Sequence, residues 1–250
     1  MDSHIAVRFD DDRAYVTLDR PDKHNGLTIG MLEGLVDAAR TVGRRDGVRA
    51  VILSGNGPSF SSGLDVAKAT GDPLAMARNF IPLPWRGTNT FQEACWAWRR
   101  LPVPVIAAVH GRCFGGGLQI ALAADIRFAT PDAEFSVMEA RHGLVPDMTG
   151  AATLSRLVGM DKALLLTMTA DTVDAAYAAR IGLVTEVSDD PIATAEALAD
   201  RIATRSPHAV AGAKRLFERS WQASTRRTLA IERATQLPLI VRLAGRRGDR

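Results

Sequence analysis

The sequence predicts an α/β core built on buried parallel strands and followed by a helical appendage. Three observations predict it. Ala50–Leu53, Val103–Val109 and Ile126–Phe128 are short, unbroken apolar runs. Such runs fit strands covered on both faces, because a half-exposed strand would alternate with polar residues. Helical spacing lies between the runs, and after about residue 150 the pattern turns helical. A strand-rich half followed by a helix-rich half implies one mixed core with a helical extension.

Each element has its own local warrant. Ile5–Phe9 and Ala14–Leu18 read as two strands around the acidic turn Asp10-Asp11-Asp12. Thr28 is the expected N-cap of a helix with Met31, Leu32, Leu35, Val36, Ala39 and Val42 on one face. Ser54-Gly55-Asn56-Gly57-Pro58 ends the strand at Ala50. Ala69–Gly87, with Pro73, Pro82 and Pro84, is irregular and reads as a lid or binding loop. An aromatic helix with Phe91, Trp96 and Trp98 follows it. Further helices are expected at 150–157, 160–168, 174–181, 191–204, 207–222 and 225–240, with one strand at Leu183–Val187. No repeat of fixed period and no low-complexity segment interrupts them.

Composition removes several classes of function. The 250 residues are 46% apolar and 24% charged, which excludes disorder. The net charge of +3 comes from 31 basic and 28 acidic residues, so no nucleic-acid-binding stripe is implied. Arg242, Arg246, Arg247 and Arg250 gather near the end and read as a solvated tail. Cys95 and Cys113 have no CxxC spacing, which argues against a structural zinc and fits a reducing, cytoplasmic setting. No secretory signal is visible, and no apolar run reaches the ~18–20 residues of a membrane span.

Three segments carry candidate chemistry. In Val109–Leu122, the run Gly115-Gly116-Gly117 follows a buried strand and opens an apolar helix. Each glycine costs up to ~1 kcal/mol of helix stability relative to alanine. Either a ligand oxygen approaches the bare N–H groups, or the helix packs unusually close to the sheet. The spacing is not GxGxxG, and no Lys-Ser/Thr follows to make a P-loop. Pro58–Asp65 is a second source of outward N–H groups, or an ordinary capping loop. Two such sources at adjacent strand ends can build an oxyanion hole. Phe135–Asp147 places Glu139 and Asp147 in a loop between apolar stretches. Carboxyls against apolar walls have raised pKa values and can shuttle protons; the alternative is a surface ion pair with Arg141 or Arg156. Glu139-x-x-His142 has the spacing of a di-iron half-site, but no second copy exists, so no metal is expected. No GxSxG elbow occurs, Cys113 reads as an inert packed thiol, and His110 and His142 read as structural histidines.

Four motifs in order resemble the crotonase superfamily, the enoyl-CoA hydratase/isomerase family. They are Leu18-Asp19-Arg20-Pro21-Asp22-Lys23-His24-Asn25-Gly26-Leu27, then Phe60-Ser61-Ser62-Gly63-Leu64-Asp65, then Gly111–Ala124 with Asp125, then Glu139–Gly150. The resemblance implies a spiral of ββα units over 1–190 holding an acyl-CoA site. It implies a C-terminal helical trimerisation region over 191–250, and a homo-oligomer, trimer or hexamer. By position, the N–H groups of Leu64 and Gly116 would hold a thioester oxygen. The adenine end of coenzyme A would lie near Lys23, His24 and the backbone of Ser61, Ser62 and Gly63, with Gly115 and Gly117 flanking the site. No cofactor beyond the CoA of the substrate is implied, and neither nucleic acid nor membrane is an expected partner.

The proton carriers depart from the hydratase pattern. Hydratases resemble one another in two glutamates, one two residues past the glycine run and one at the place of Glu139. Here the first is Gln119, an amide that cannot exchange a proton near neutral pH. Asp147 stands where hydratases often have glycine. Glu139 and Asp147 together resemble the dienoyl-CoA isomerase branch, although that branch has an acid at the place of Gln119. The expected catalytic set is thus Glu139 and Asp147 with Gln119 beside them, moving a double bond through an enolate. The alternatives are a hydratase using Glu139 alone or with Gln119 orienting water, another thioester reaction, and an acyl-CoA-binding scaffold. Family members usually end in an acidic-Lys-Arg cluster with an aromatic that covers CoA, and this chain ends in Arg246-Arg247-Gly248-Asp249-Arg250 without it. The acyl pocket is expected from Ala69–Trp98, where Trp85, Phe91 and Trp96 are candidate wall residues.

Overall fold

Strands β1 (Ile5–Asp10) and β2 (Arg13–Leu18) form an antiparallel hairpin. Thereafter every pairing in the main sheet is parallel. β2 pairs with β3 (Ala50–Gly55), β3 with β4 (Val105–Val109), β4 with β6 (Ile126–Ala129), and β6 with β9 (Glu186–Val187). A smaller sheet joins β5 (Arg112–Phe114), β7 (Glu134–Ser136) and β8 (Val173–Asp174) in the order β5-β7-β8. The computed structural model describes residues 3–65, 73–82 and 86–248. Ala69–Asp72, Pro84, Trp85, Arg250 and the side chains of Arg246 and Arg247 lie outside what is described.

Helix α1 (Ile29–Arg44) starts where its sequence says it should. Thr28 is extended, and its hydroxyl accepts the Met31 N–H at 3.2 Å. All six apolar residues read on its face are buried. Helix α2 (Pro73–Phe80) precedes α3 (Thr90–Arg99), the aromatic helix. Asn89 and Gln92 close a reciprocal capping box on α3, with bonds of 2.9 and 3.1 Å. Then come α4 (Gly116–Ala123), α5 (Gly150–Val158), α6 (Met160–Thr169) and α7 (Ala175–Arg180). The chain ends with α8 (Pro191–Ala203), α9 (Pro207–Ser220) and α10 (Thr225–Gly248).

The middle of the main sheet is covered on both faces, which is why Ala50–Leu53 and β4 are apolar throughout, whereas β1 and β2 at the edge alternate. Val51, Leu53, Val105, Ala107 and Val109 join the large core with α1, α3 and α4. Their neighbours Ala50, Ile52, Ile106, Ala108 and Phe128 face the other way, onto Ala195 and Ala199 of α8. The sequence reading opens the helical region at residue 191, whereas α8 still packs on the sheet and only the chain beyond it leaves that layer. Helix α9 is docked to the core through a polar clasp. Lys214 reaches Asp125 at 2.7 Å and donates to the carbonyl of Val103 at 3.0 Å. Arg99 pairs with Glu218 in the same cluster.

The sequence expects a strand over Leu183–Val187, and only Glu186–Val187 pairs. Leu183 and Val184 instead fold back, both donating to the Ala178 carbonyl. The three strands of the smaller sheet, at most three residues each, go unpredicted because so short a segment carries no period.

Helix α4 is buried all round, from Gly116 to Ala123. Its approach to the neighbouring loop is closer than side chains permit. A Cβ on Gly117 would lie 2.5 Å from the Ser61 Cβ. We therefore expect Gly117→Ala to lower unfolding stability by about 1–3 kcal/mol, the usual cost of overpacking, measured by urea denaturation. Gly245→Ala, in open space on α10, should be neutral or slightly stabilising.

Candidate active site

The site begins where two loops meet. Leu27 pairs with Leu64 as an isolated parallel bridge. The Leu27 N–H donates to the Gly63 carbonyl at 2.8 Å, and the Asp65 N–H donates to the Leu27 carbonyl at 2.9 Å. These bonds use the peptide groups on either side of Leu64, so its own N–H faces away from Leu27. Among the described residues that N–H has no hydrogen-bond partner. The loop that carries Leu27 is fixed by Asn25, which is fully buried at a φ of 51°. Its amide donates to the carbonyls of Asn56 and Ser59 and accepts the Arg20 N–H.

Opposite Leu64 stands the N-terminus of α4. Gly115 has φ 49° and ψ −122°, a conformation in which a side chain would be strained. Its N–H donates to the Ser136 carbonyl at 2.9 Å. Gly116 is the first helical residue, so its N–H has no intrahelical acceptor. A Cβ on Gly116 would lie 3.8 Å from the Leu64 nitrogen and 2.9 Å from the Met148 sulfur. The two peptide groups are thus neighbours in one wall.

That wall bounds an open, mainly apolar cavity of about 430 Å³. Ser62, Gly63, Leu64, Gly115 and Gly116 form one side. Met138, Glu139, His142, Leu144, Val145, Asp147 and Met148 form another, and Phe80 and Phe91 close it, their rings 4.9 Å apart. Glu139 and Asp147 therefore share one cavity, and neither makes an ion pair with Arg141 or Arg156 among the described residues. Arg156 instead faces Glu218. Burial raises both carboxyls above their usual range. For Glu139 the charge of Asp147 adds to the rise, while a hydrogen bond from Gln119 and the nearby His142 oppose it. Glu139 Oε2 is buried with no hydrogen-bond partner.

Gln119 sits behind this wall and is 2% exposed. Its Nε2 donates to Glu139 Oε1 at 2.6 Å. Its Oε1 accepts the N–H groups of Met148 at 2.9 Å and Gly150 at 2.8 Å. A Cβ on Gly150 would fall 2.6 Å from that oxygen, so the turn before α5 needs glycine there.

The glycine run divides between the cavity and the helix packing. Gly115 and Gly116 face the cavity, and Gly117 packs on Ser61. Ser61 and Gly117, expected near the CoA site, do not line the cavity. Ser61 is fully buried, donating to the Asn25 carbonyl at 2.8 Å and accepting the Gly63 N–H at 3.2 Å. Lys23 is exposed outside the cavity, and His24 next to it holds Ser59 Oγ at 2.9 Å. The His24 carbonyl accepts the Ser62 N–H, which ties this loop to the rim. Of the aromatics expected in the pocket, Phe91 lines it; Trp96 does not and lies under Arg99. Trp85 is outside the described residues. His142, read from sequence as structural, is a wall residue. Its spacing of three from Glu139, on one turn of the 3₁₀ segment Met138–His142, is the signal that places it there. Phe80 and the two methionines of the wall carry no such signal.

The comparisons with known proteins bear on the fold and the family. A model of the enoyl-CoA hydratase/isomerase family matches residues 10–242. The chain is 36% identical over 222 residues to the short-chain-enoyl-CoA hydratase of Clostridium acetobutylicum, covering 88% of this chain and 82% of that one. It is 34% identical over 209 residues to the mitochondrial Delta(3,5)-Delta(2,4)-dienoyl-CoA isomerase of Rattus norvegicus, covering 80% of this chain but only 64% of that longer protein. A Thermobifida fusca protein solved in complex with CoA superimposes with a TM-score of 0.84 at 31% identity, over 97% of this chain and 95% of that one. On a crotonase fold whose buried turns and paired peptide groups follow its own motifs, this chain belongs to the enoyl-CoA hydratase/isomerase family.

Proposed function

We propose that the protein is an isomerase that moves the double bonds of an enoyl- or dienoyl-CoA, with Glu139 and Asp147 as the proton carriers. One observation carries this reading: two partly buried carboxyls share a single apolar cavity with the peptide groups of Leu64 and Gly116. The N–H groups of Leu64 and Gly116 bind the thioester oxygen as an oxyanion hole. Glu139 Oε1 is 3.6 Å from where a side chain on Gly115 would begin, next to Gly116. Glu139 is thereby assigned the proton on the carbon beside the carbonyl. Its removal leaves the electron pair delocalised between the thioester oxygen and the unsaturated chain, as a conjugated enolate. Asp147, protonated at the start of the cycle, gives its proton to the far end of the chain, which yields an isomer of the substrate; proton exchange with solvent through the open cavity then returns Glu139 to the carboxylate and Asp147 to the acid. Each donor to the enolate oxygen is worth about 2.7–4 kcal/mol in comparable oxyanion holes. The CoA handle, near Lys23, His24 and the rim at Ser62, supplies remote binding energy for orientation. The reaction so written needs no cofactor beyond the CoA of the substrate.

We also propose that the chain works as a homo-oligomer, a trimer or hexamer, in a reducing, cytoplasmic setting. The supports are an exposed apolar stripe on α6, Met160, Leu164 and Met168, and two buried free thiols, Cys95 and Cys113. Helix α6 packs against the 3₁₀ segment that carries Glu139, so an interface there would brace the site. No described helix is long and apolar enough to cross a membrane.

The deciding experiment offers a 3,5-dienoyl-CoA and crotonyl-CoA in parallel. Appearance of the 2,4-diene absorbance supports the isomerase. Loss of conjugated absorbance from crotonyl-CoA alone supports a hydratase using Glu139, the reading that the Clostridium relative favours. Binding without either change supports a scaffold. For the isomerase, Glu139→Gln and Asp147→Asn should each lower kcat by about 10²–10⁴-fold, the usual contribution of an acid–base group, with little change in KM. Unchanged turnover in both would overturn the assignment.

Burial also sets a pH dependence. Glu139 must be ionised to act as base, and burial raises its carboxyl. The ascending limb of kcat against pH should therefore lie above the ordinary glutamate value of about 4.3. The same shift opposes folding. A carboxyl raised in the folded state contributes stability below its unfolded pKa and loses it as pH rises through the folded one. Glu139→Gln should thus raise Tm at pH 7, and the gain should vanish in acid. Calorimetry at the two pH values checks it.

A further inference from the structure

We propose that Gln119 is a positioning residue rather than a proton carrier: a polarity lock that holds the Glu139 carboxyl and the loop bearing Asp147 in one register. The inference rests on the assignment of Glu139 as the base.

A side-chain amide is asymmetric. One end of Gln119 only accepts and the other only donates. Met148 and Gly150 both present N–H groups to the same oxygen, at 2.9 and 2.8 Å. Two donors cannot face an NH₂ group, so the oxygen must point to the loop. The NH₂ end then has one direction left, toward Glu139 Oε1 at 2.6 Å. The side chain is 2% exposed and lies behind the cavity wall, so neither solvent nor substrate competes for it.

Three consequences follow. The bond goes to one carboxyl oxygen, so Oε2, buried and without a partner, is the oxygen with unspent capacity. An N–H donor favours the ionised form of Glu139 against the burial and the Asp147 charge that disfavour it; His142, on the same turn, acts in the same direction. The loop from Gly143 to Gly150 is fastened at Met148, one residue from Asp147, so one side chain sets both carboxyls. A glutamate at 119 would keep both loop bonds but bring a second carboxyl to Oε1, where two like charges at hydrogen-bond distance cannot both ionise.

The test is a titration of Glu139 itself, by ¹³C NMR of carboxyl-labelled glutamate in the full-length protein, with the signal assigned by its loss in Glu139→Gln. In Gln119→Glu the Glu139 signal, coupled to the new carboxyl, should titrate at least one pH unit higher than in the unmodified protein, about a tenfold gain in proton affinity. In Gln119→Met, which lacks the donor but adds no charge, the shift should be upward and smaller. The ascending limb of kcat should move with the titration while KM stays within about twofold, on whichever thioester reaction the unmodified protein catalyses. A Glu139 titration unmoved in both variants overturns the lock. Because the titration needs no turnover, it stands even if the assigned reaction proves to be hydration, and the substrate comparison above decides that question separately.

Discussion

Everything at this site depends on how closely two stretches of backbone approach. The start of α4 lies on Ser61 with no room for a side chain at Gly117, and Gly63 lies against the carbonyl of Phe114. This contact brings the Leu64 and Gly116 peptide groups together. It also explains why a helix tolerates three glycines at its first turn despite their low propensity. The helix gains its stability from burial on all sides rather than from its own sequence.

Around that contact the molecule keeps several arrangements that oppose folding. Asn25 and Thr149 hold positive φ angles. Two carboxyls sit where burial disfavours their charge, and one of their oxygens has no partner. Unsatisfied and strained groups cluster at sites where they are used, since surrounding structure must over-determine them to keep them. Here the over-determination is visible: the Asn25 amide is tied to three backbone groups, and Gln119 to two backbone groups and a carboxyl.

In the reaction proposed above, the cavity divides its labour by chemistry. Backbone would supply the donors for a carbonyl oxygen, because peptide N–H groups neither titrate nor rotate. Side chains would supply the groups that exchange protons. Phe80, Phe91, Met138, Leu144, Val145 and Met148 supply an apolar wall that accepts a hydrocarbon and keeps the dielectric low. A polar substitution in that wall would weaken the electrostatics as well as the fit.

Much of this was legible in the residues. Strand runs, the Thr28 cap, the face of α1 and the long C-terminal helices are local signals, carried by periodicity and capping within one segment. The glycine run and the Glu139–Asp147 loop announced themselves because they break local rules. Other features had no local trace. Ser61 was expected beside the CoA site, and only its position under Gly117 shows it to be internal. Gln119 looked like a lost acid, and only the N–H groups of Met148 and Gly150, about 30 residues away in sequence, fix its polarity. The sequence by itself therefore determined most of the elements, the family and the set of candidate groups, since these reside in residue identity and spacing, although Pro73–Phe80, read as irregular, forms helix α2. The tertiary structure alone decided which of those groups face the cavity, which are spent on the backbone, and which oxygen is left free, because these depend on distances between segments that the chain order does not encode.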